Sequence, residues 1–151
     1  MIQIHKASIN EIEPLAQLFD SYRVFYKKKS DPDGSRKFLK ERIENHESVV
    51  FLAADTENQF KGFVQLYPIF SSTRMKRLWL LNDLFVVPES RGLGIGKSLI
   101  ESAKNHCLET GACGLLLETA KTNIEGNHLY PKEGFVLDKD HNYYTWEPQS
   151  G

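Results

Sequence analysis

The sequence has few features that would direct it to a membrane, to nucleic acid or to an oxidising compartment. It has only two cysteines, Cys107 and Cys113, and they lack the spacing of a metal site or of a disulfide framework. The net charge of −1 offers no general attraction to nucleic acid or to a membrane surface. No apolar run approaches the roughly 20 residues that span a bilayer, and the opening MIQIHKASIN has no signal-peptide pattern. These absences predict a cytoplasmic protein with no metal, no nucleic-acid partner and no membrane partner.

Length and composition favour one folded unit. A chain of 151 residues with 40% hydrophobic side chains can bury a sizeable core. It has no internal repeat and no low-complexity linker. The sequence therefore predicts a single domain over residues 1–151, with Trp79 and Trp146 in its core.

Hydrophobic periodicity outlines the elements of the first half. The alternating segment IQIHKA predicts a first strand, and apolar residues at helical spacing from Ile12 to Tyr22 predict a first helix. A second helix is expected from Ser35, after the turn-forming segment SDPDGS. The segments SVVFLAAD and FKGFVQLYPIF predict an antiparallel hairpin, and RLWLLNDLFVV follows as a third apolar run.

The second half alternates helices and strands. Apolar residues at helical spacing predict a helix that ends at Gly111. Its buried face would be formed by Leu99, Ile100, Ala103 and Cys107. The apolar segment CGLLLET predicts a strand buried on both faces. A short helix is expected from about Asn123 to Lys132, and FVLD and YYTWE predict two closing strands. The order βααβββαβαββ predicts an α/β fold with a mixed central sheet of about seven strands flanked by about four helices.

The stretch SRGLGIGKSL combines three glycines at alternate positions with a cation on each side. It misses one essential residue of each common phosphate motif. The GxxxxGK loop needs glycine where Arg91 stands, and GxGxxG needs glycine where Lys97 stands. Between a strand and a helix, such glycines permit positive φ and gather backbone N–H groups at the helix N-terminus, where anions bind. The stretch predicts a pyrophosphate site with Arg91 and Lys97 at its rim; the alternative is a turn whose glycines serve only the backbone.

Two segments together resemble the GCN5-related N-acetyltransferase (GNAT) family. The pattern Arg/Gln-x-x-Gly-x-Gly/Ala, after the strand segment DLFVVPE and before a helix, is similar to the acyl-CoA-binding motif of that family. The segment NIEGNHLYPKEGF resembles its second signature, with Asn123, Leu129, Tyr130, Gly134 and Phe135 in register. The resemblance covers residues 78–146. It implies a GNAT-like fold, acetyl-CoA as co-substrate, and an amine that attacks the thioester directly in a ternary complex.

The resemblance also implies a set of cofactor-binding residues. Strands that carry DLFVV and GLLLET would splay apart, with the pantetheine arm between them as a false strand. Backbone N–H groups near the thioester carbonyl would come from Leu84, Phe85, Val86 and Val87, of which Phe85 and Val87 contribute only if the strand edge opens there. The pyrophosphate would meet Arg91, Gly92, Leu93, Gly94, Ile95, Gly96 and Lys97. Asn123 would hydrogen-bond the pantetheine arm or the phosphates, and a helix cap is its alternative role.

Two residues are the candidates for proton transfer. Tyr130 matches the tyrosine that faces the CoA sulfur in the family, so the resemblance implies a cofactor contact and an acid for the departing thiolate. The alternative for Tyr130 is a packed aromatic near a helix end. Asp83 would orient the amine or accept its proton through water, or would instead pair with Arg74 or Arg77. Glu118 is a second candidate for the base.

Two residues before the predicted coenzyme strand edge bear on the nature of the acceptor amine. Polyamine acetyltransferases of the family carry an acidic pair where this chain has Asn82 and Asp83. Because only one of the two positions is acidic here, the sequence gives only half of the evidence for a polyamine substrate. The sequence predicts an N-acetyltransferase for a primary amine of a small molecule. The alternatives are a protein lysine or N-terminal acetyltransferase and a non-catalytic acyl-CoA sensor. Homodimers paired through the last strands are common in the family, and no other feature of this sequence demands one.

Overall fold

The computed structural model describes residues 1–149. The chain divides into two compact units, Met1–Glu118 and the segment from Thr119 onward. The single domain expected over residues 1–151 stays a prediction. None of the helices in the part of the chain that the structure describes is long and apolar enough to cross a membrane.

A five-stranded mixed sheet organises the first unit. Its strands lie side by side in chain order: β1 Gln3–Lys6, β2 Val49–Ala54, β3 Phe60–Ser71, β4 Lys76–Val86 and β5 Leu115–Leu116. Strands β1 to β4 are antiparallel neighbours, and β5 runs parallel to β4. The expected hairpin is confirmed, because β2 and β3 pair antiparallel.

Four α-helices occur within residues 1–149, as expected: α1 Ile12–Phe25, α2 Pro32–Glu44, α3 Ile95–Glu109 and α4 Ile124–Lys132. Helix α2 begins about one turn earlier than the prediction from Ser35. Oδ1 of Asp31 accepts a hydrogen bond of 2.9 Å from the Gly34 N–H, which caps the helix. Pro32 suits the first helical position because it has no N–H to leave unpaired.

The two faces of the sheet are covered by different helices. Phe19 of α1 packs on Phe63 of β3 with ring centroids 6.1 Å apart. A Cβ atom built on Gly62 would lie 3.3 Å from Leu99 of α3. Because successive strand residues face opposite ways, α1 and α3 lie on opposite faces. The apolar face predicted for α3 is confirmed: Leu99, Ile100, Ala103 and Cys107 are all buried.

The strand expected from CGLLLET is shorter and more exposed than predicted. Only Leu115 and Leu116 pair with β4, and Leu116 is 45% exposed rather than buried on both faces. An apolar run indicates that a segment can be buried, but it does not show how many of its residues pair with a neighbouring strand. How far it pairs depends on the path of the neighbouring strand.

The two closing strands predicted from FVLD and YYTWE are absent from residues 1–149, so the sheet has five strands and not about seven. Alternation favours an extended chain, but a strand also needs a neighbouring edge for its N–H and C=O groups. Here the side chains of Val136 and Trp146 are 90% and 84% exposed. The expectation that Trp146 lies in the core is therefore wrong, whereas Trp79 is buried as predicted.

Candidate functional site

The glycine-rich loop connects the end of β4 to the start of α3. Gly92 and Gly94 have positive φ angles of 79° and 82°, and Gly94 is the N-cap residue of α3. A Cβ atom at either position would meet no heavy atom of residues 1–149 within 4 Å. Glycine is therefore needed here for backbone conformation and not for internal packing, and this side of the loop is open.

The fold of residues 1–149 leaves the backbone N–H groups along this loop free for a ligand. Within residues 1–149, none of the N–H groups of residues 92–97 donates a hydrogen bond to the chain. Gly94 has no side-chain oxygen that would cap the helix, and the positive end of the α3 dipole lies at the same place. Lys97 is exposed on the first turn. The arrangement suits an anion whose charge is spread over several oxygens.

Arg91 does not extend from the loop into solvent. Its Nε donates to the carbonyl oxygen of Val86, and its guanidinium lies over the rings of Phe25 and Phe85. The side chain therefore joins the beginning of the loop to the end of β4 and to α1.

Strand β4 has an open edge in the stretch that leads to this loop. Its pairing with β5 consists of Trp79 opposite Leu115 and Leu80 opposite Leu116, whereas its pairing with β3 continues to Val86. Beyond Leu80, β4 therefore has β3 on one side and no paired strand of residues 1–149 on the other. An extended ligand with amide groups can pair with such an edge.

The direction of the N–H groups decides which residues face this edge. The Val87 N–H donates to the Lys61 carbonyl at 2.9 Å, so it points toward β3. Backbone groups two residues apart in a strand point the same way, so the Phe85 N–H also faces β3. The N–H groups of Leu84 and Val86 face the open edge instead. Among the four residues predicted to supply N–H donors, the geometry favours these two.

Asp83 lies in β4 beside a β-bulge. Gln65 of β3 is opposite Asp83 and Leu66 is opposite Leu81, so Asn82 is the extra residue of β4. The Asp83 side chain is buried. Its Oδ2 accepts a hydrogen bond of 2.7 Å from Gln65 Nε2, and its Oδ1 accepts one of 3.1 Å from Asn82 Nδ2.

Neither arginine considered as a partner of Asp83 forms an ion pair with it. The Arg77 guanidinium lies 4.9 Å from the ring centroid of Phe70 and 5.2 Å from that of Trp79, and Arg74 is exposed. No ion pair among residues 1–149 includes Asp83. The alternative of an arginine pair is therefore wrong, and neutral amides hold both carboxylate oxygens.

Gln65 was not among the residues predicted from the sequence. Its side chain is fully buried, and its Oε1 has no hydrogen-bond partner within residues 1–149. Because a carboxylate accepts hydrogen bonds and donates none, the amide must turn Nε2 toward Asp83, which leaves Oε1 unpaired. The available signal was a polar residue in the middle of the apolar run FVQLY.

Tyr67 lies two residues along β3, on the same face as Gln65. Burial raises the pKa of Tyr67 to about 12, the charge of Asp83 acts in the same direction, and Arg42 opposes it. The phenol is therefore a neutral hydrogen-bonding group at pH 7. Tyr67 also lines an open depression of about 540 Å³, whose other walls are Phe38, Arg42, His46, Glu47 and Pro68.

In the second unit, Asn123 caps helix α4. Its Oδ1 accepts a hydrogen bond of 3.1 Å from the Gly126 N–H, and its Nδ2 donates to Thr119 Oγ1 at 2.8 Å. The helix-cap role that was the alternative for Asn123 is confirmed. Its predicted contact with the cofactor stays a prediction.

Tyr130, near the end of α4, packs against residues of its own motif. Its ring lies 5.7 Å from the ring of Phe135 in an edge-to-face arrangement, and its Cε2 would be 3.2 Å from a Cβ atom on Gly126. Its backbone carbonyl accepts from the Phe135 N–H at 3.0 Å. The packing alternative is thus observed, and the predicted acid role stays a prediction.

The remaining candidates do not form a metal site. Glu118 is exposed, just past β5. No group of three or more His, Cys, Asp or Glu side chains in the described part of the chain is arranged to hold a metal ion.

The structure combines a mixed sheet that has helices on both faces, an open edge on β4 and a glycine-rich loop at the N-terminus of α3. Residues 15–135 match the sequence model of the Acetyltransferase (GNAT) family, and the chain belongs to that family. The resemblance drawn from the two motifs is thereby confirmed, and the protein is an acyltransferase.

Known proteins similar to this chain span nearly all of it. It is 43% identical to an uncharacterised N-acetyltransferase of Bacillus subtilis (strain 168). The alignment spans 143 residues and covers 95% of each chain. The crystal structure of a probable acetyltransferase matches with a TM-score of 0.93 and 37% identity, covering 99% of both chains. A predicted acetyltransferase from Clostridium acetobutylicum, crystallised with acetyl-CoA, shares the fold with a TM-score of 0.78 at 19% identity, covering 96% of each.

Proposed function

We propose that this protein transfers the acetyl group of acetyl-CoA to a primary amine of a small molecule, by direct attack of the amine in a ternary complex. The observation that carries the proposal is the loop of residues 92–97. Its positive-φ glycines and unpaired N–H groups lie at the start of α3. The pyrophosphate of CoA has its negative charge spread over several oxygens and is complementary to that loop.

The open edge of β4 supports a position for the pantetheine arm. Pantetheine contains two amide groups, which can pair with the backbone of β4 as an added strand would. The N–H groups of Leu84 and Val86 face that edge. One of them would donate to the thioester carbonyl, where negative charge develops during attack.

Removal of a proton from the acceptor is the first chemical requirement. An alkylamine with a pKa near 10.4 is neutral in only about one molecule in 10³ at pH 7, which costs about 4.6 kcal/mol. Asp83 is the proposed base, and its burial favours proton transfer through a water molecule. Glu118 is the second candidate.

Protonation of the leaving group is the second requirement. The new C–N bond forms as the C–S bond breaks, the attacking nitrogen loses its second proton to water, and the departing sulfur gains one proton. Tyr130 is the proposed donor, on the basis of its match to the family signature. A phenol pKa near 10 against a thiol pKa near 8.5 opposes full transfer by about 2 kcal/mol, so the two groups must be well aligned.

The open depression beside Tyr67 is the proposed entry for a small-molecule acceptor. A protein lysine or amino terminus is the second candidate acceptor. A non-catalytic acyl-CoA sensor is the remaining alternative. A homodimer and a cytoplasmic location stay predictions.

A thiol-release assay tests this proposal. Purified protein is incubated with acetyl-CoA and a panel of small amines, or with lysine peptides and peptides with free amino termini, and free CoA is measured. We expect release with small amines and a much lower rate for the Asp83→Asn variant. Release of CoA with peptides but with no small amine would indicate that the acceptor is a protein. Coenzyme binding without release on any acceptor would overturn the proposal in favour of the sensor.

A further inference from the structure

The buried pair of Gln65 and Asp83 has more hydrogen-bonding capacity than residues 1–149 satisfy. Each carboxylate oxygen of Asp83 accepts one hydrogen bond, from Gln65 Nε2 and from Asn82 Nδ2. An ionised carboxylate can accept about four. Oε1 of Gln65, which is fully buried, accepts none from residues 1–149.

Packing alone does not explain this pair. The neighbours of Gln65 along β3, Val64 and Leu66, are fully buried apolar residues, and Phe63 and Phe85 lie on the same sheet face as the pair. Burial of an amide and a carboxylate among such side chains opposes folding unless every polar atom is paired. Two apolar residues of similar volume would fill the space without that cost.

The position of the pair in the sheet points to a role at the site. Asp83 directly precedes Leu84, whose N–H faces the open edge of β4. The bulge at Asn82 sets the register that brings Gln65 opposite Asp83. The orientation of the Asp83 carboxylate therefore depends on the buried amide of Gln65 in β3, together with that of Asn82.

We propose that Gln65 is a positioning residue for proton removal from the acceptor amine, an inference that rests on the proposed function. Its Nε2 fixes Oδ2 of Asp83, and its Oε1 accepts a hydrogen bond from the water molecule that carries the proton. The proton leaves the amine nitrogen, passes through this water to the Asp83 carboxylate and then returns to solvent. A buried water typically makes about three hydrogen bonds. Gln65 Oε1 and one carboxylate oxygen of Asp83 would accept two of them.

The proposal also indicates the class of acceptor. Oε1 of Gln65 and the carboxylate of Asp83 are all acceptors, so the site suits a group that arrives with protons to give. A primary ammonium group has three N–H donors and must lose a proton before it can attack. We therefore expect amines that are protonated at neutral pH to depend on Gln65.

The test compares the Gln65→Met variant with the wild type on two acceptors. One is the best amine of the thiol-release panel. The other is its fluorinated analogue, which is already neutral at the assay pH. We expect kcat/KM for the first amine to fall by about 10- to 100-fold, because a base that is poorly positioned loses much of its effect. We expect a loss of less than about 3-fold for the analogue and an unchanged KM for acetyl-CoA.

Equal losses on the two amines, or no loss on either, would overturn the role of Gln65. Gln17→Met, at an exposed position of α1, is the matched control and should behave as wild type. These outcomes are distinct from a failure of the proposed function, in which the wild type itself would release no CoA with any acceptor.

A double variant separates positioning from stability. Gln65→Leu with Asp83→Leu should melt at or above the temperature of either single variant, because the unpaired polar atoms are removed together. It should also be inactive on the protonated amine. A double variant that melts below both single variants would show that the pair serves stability, and would contradict the proposal.

Discussion

The Nε atom of Arg91 lies 2.9 Å from the carbonyl oxygen of Val86, so the first residue of the glycine-rich loop is tied to the end of the preceding strand. The guanidinium carbon is also 4.6 Å from the ring centroid of Phe25 and 5.7 Å from that of Phe85. Through these contacts, one side chain connects the loop, β4 and α1. Arg91 therefore links the loop that would hold the pyrophosphate to the end of the strand whose edge would hold the pantetheine.

Replacement of Arg91 by lysine tests this connection. Lysine keeps the charge but lacks the planar guanidinium that donates to Val86 and stacks on the aromatic rings. The lost contacts are worth about 1–2 kcal/mol, so we expect the Kd for acetyl-CoA to rise about tenfold. Calorimetric titration measures this change. Arg74→Lys, at an exposed position, should bind as wild type; an Arg91→Lys variant with unchanged Kd would show that the loop holds its place without the side chain.

A comparison of alanine variants at two glycines, one at each end of α3, distinguishes an effect on coenzyme binding from an effect of backbone strain. Gly94 and Gly111 have positive φ angles of 82° and 68°, and a Cβ atom at either would meet no atom of residues 1–149 within 4 Å. Alanine at either position should lower the free energy of unfolding by about 1–2 kcal/mol. Only Gly94→Ala should also weaken CoA binding. Equal CoA affinity of the two variants would place the coenzyme elsewhere.

The phenol of Tyr130 is expected to act in turnover and not in coenzyme affinity. Tyr130→Phe keeps the ring that packs on Phe135 but removes the proton donor. We expect kcat to fall by about 10²-fold while the Kd for acetyl-CoA stays within about twofold. Tyr144→Phe, at an exposed residue, is the control. A Tyr130→Phe variant with normal kcat would leave Tyr130 as a packing residue only.

His106 makes the stability of the fold depend on pH. It lies between Trp79 and Phe51, its Nε2 has no partner within residues 1–149, and burial lowers its pKa with a smaller contribution from Lys6. The unfolded chain takes up this proton near pH 6.5, before the folded protein does. Protonation of His106 therefore costs no stability above about pH 6.5. As the pH falls from there toward the pKa of His106 in the folded protein, the free energy of unfolding decreases by at most about 1.4 kcal/mol per pH unit.

Denaturant unfolding at neutral and mildly acidic pH measures this effect. His106→Gln should lose less stability on acidification than the wild type, because it removes the group that must be protonated. His128→Gln, at an exposed position of α4, should keep the pH dependence of the wild type. If His106→Gln loses as much stability as the wild type, other groups account for the acid sensitivity.

The features predicted correctly from the sequence depend on residues that are close together in the chain. The buried face of α3 follows from the spacing of its apolar residues, because a helix brings residues three and four apart to one side. The glycine-rich loop was recognisable because positive φ and the start of a helix concern only a few consecutive residues. The hairpin of β2 and β3 is a similar case, with two apolar segments joined by a short polar turn.

The features that escaped prediction depend on contacts between distant residues. The β-bulge at Asn82 sets the register that pairs Gln65 with Asp83, and no local pattern reports a register. The choice of Leu84 and Val86 as open-edge donors depends on which way the N–H groups of β4 point and on how far β5 pairs with β4.

The segments FVLD and YYTWE show the same limit. Their alternation is a local property, but a strand exists only where another strand lies beside it. Residue spacing was therefore enough for the helices and the loop, and two motifs were enough for the family, while the hydrogen-bond partners of Asp83 and the number of strands required the assembled sheet. The physical reason is that the conformation of a loop or helix is set by neighbours in the chain, whereas strand pairing and the hydrogen bonds of buried polar groups are set by neighbours in space.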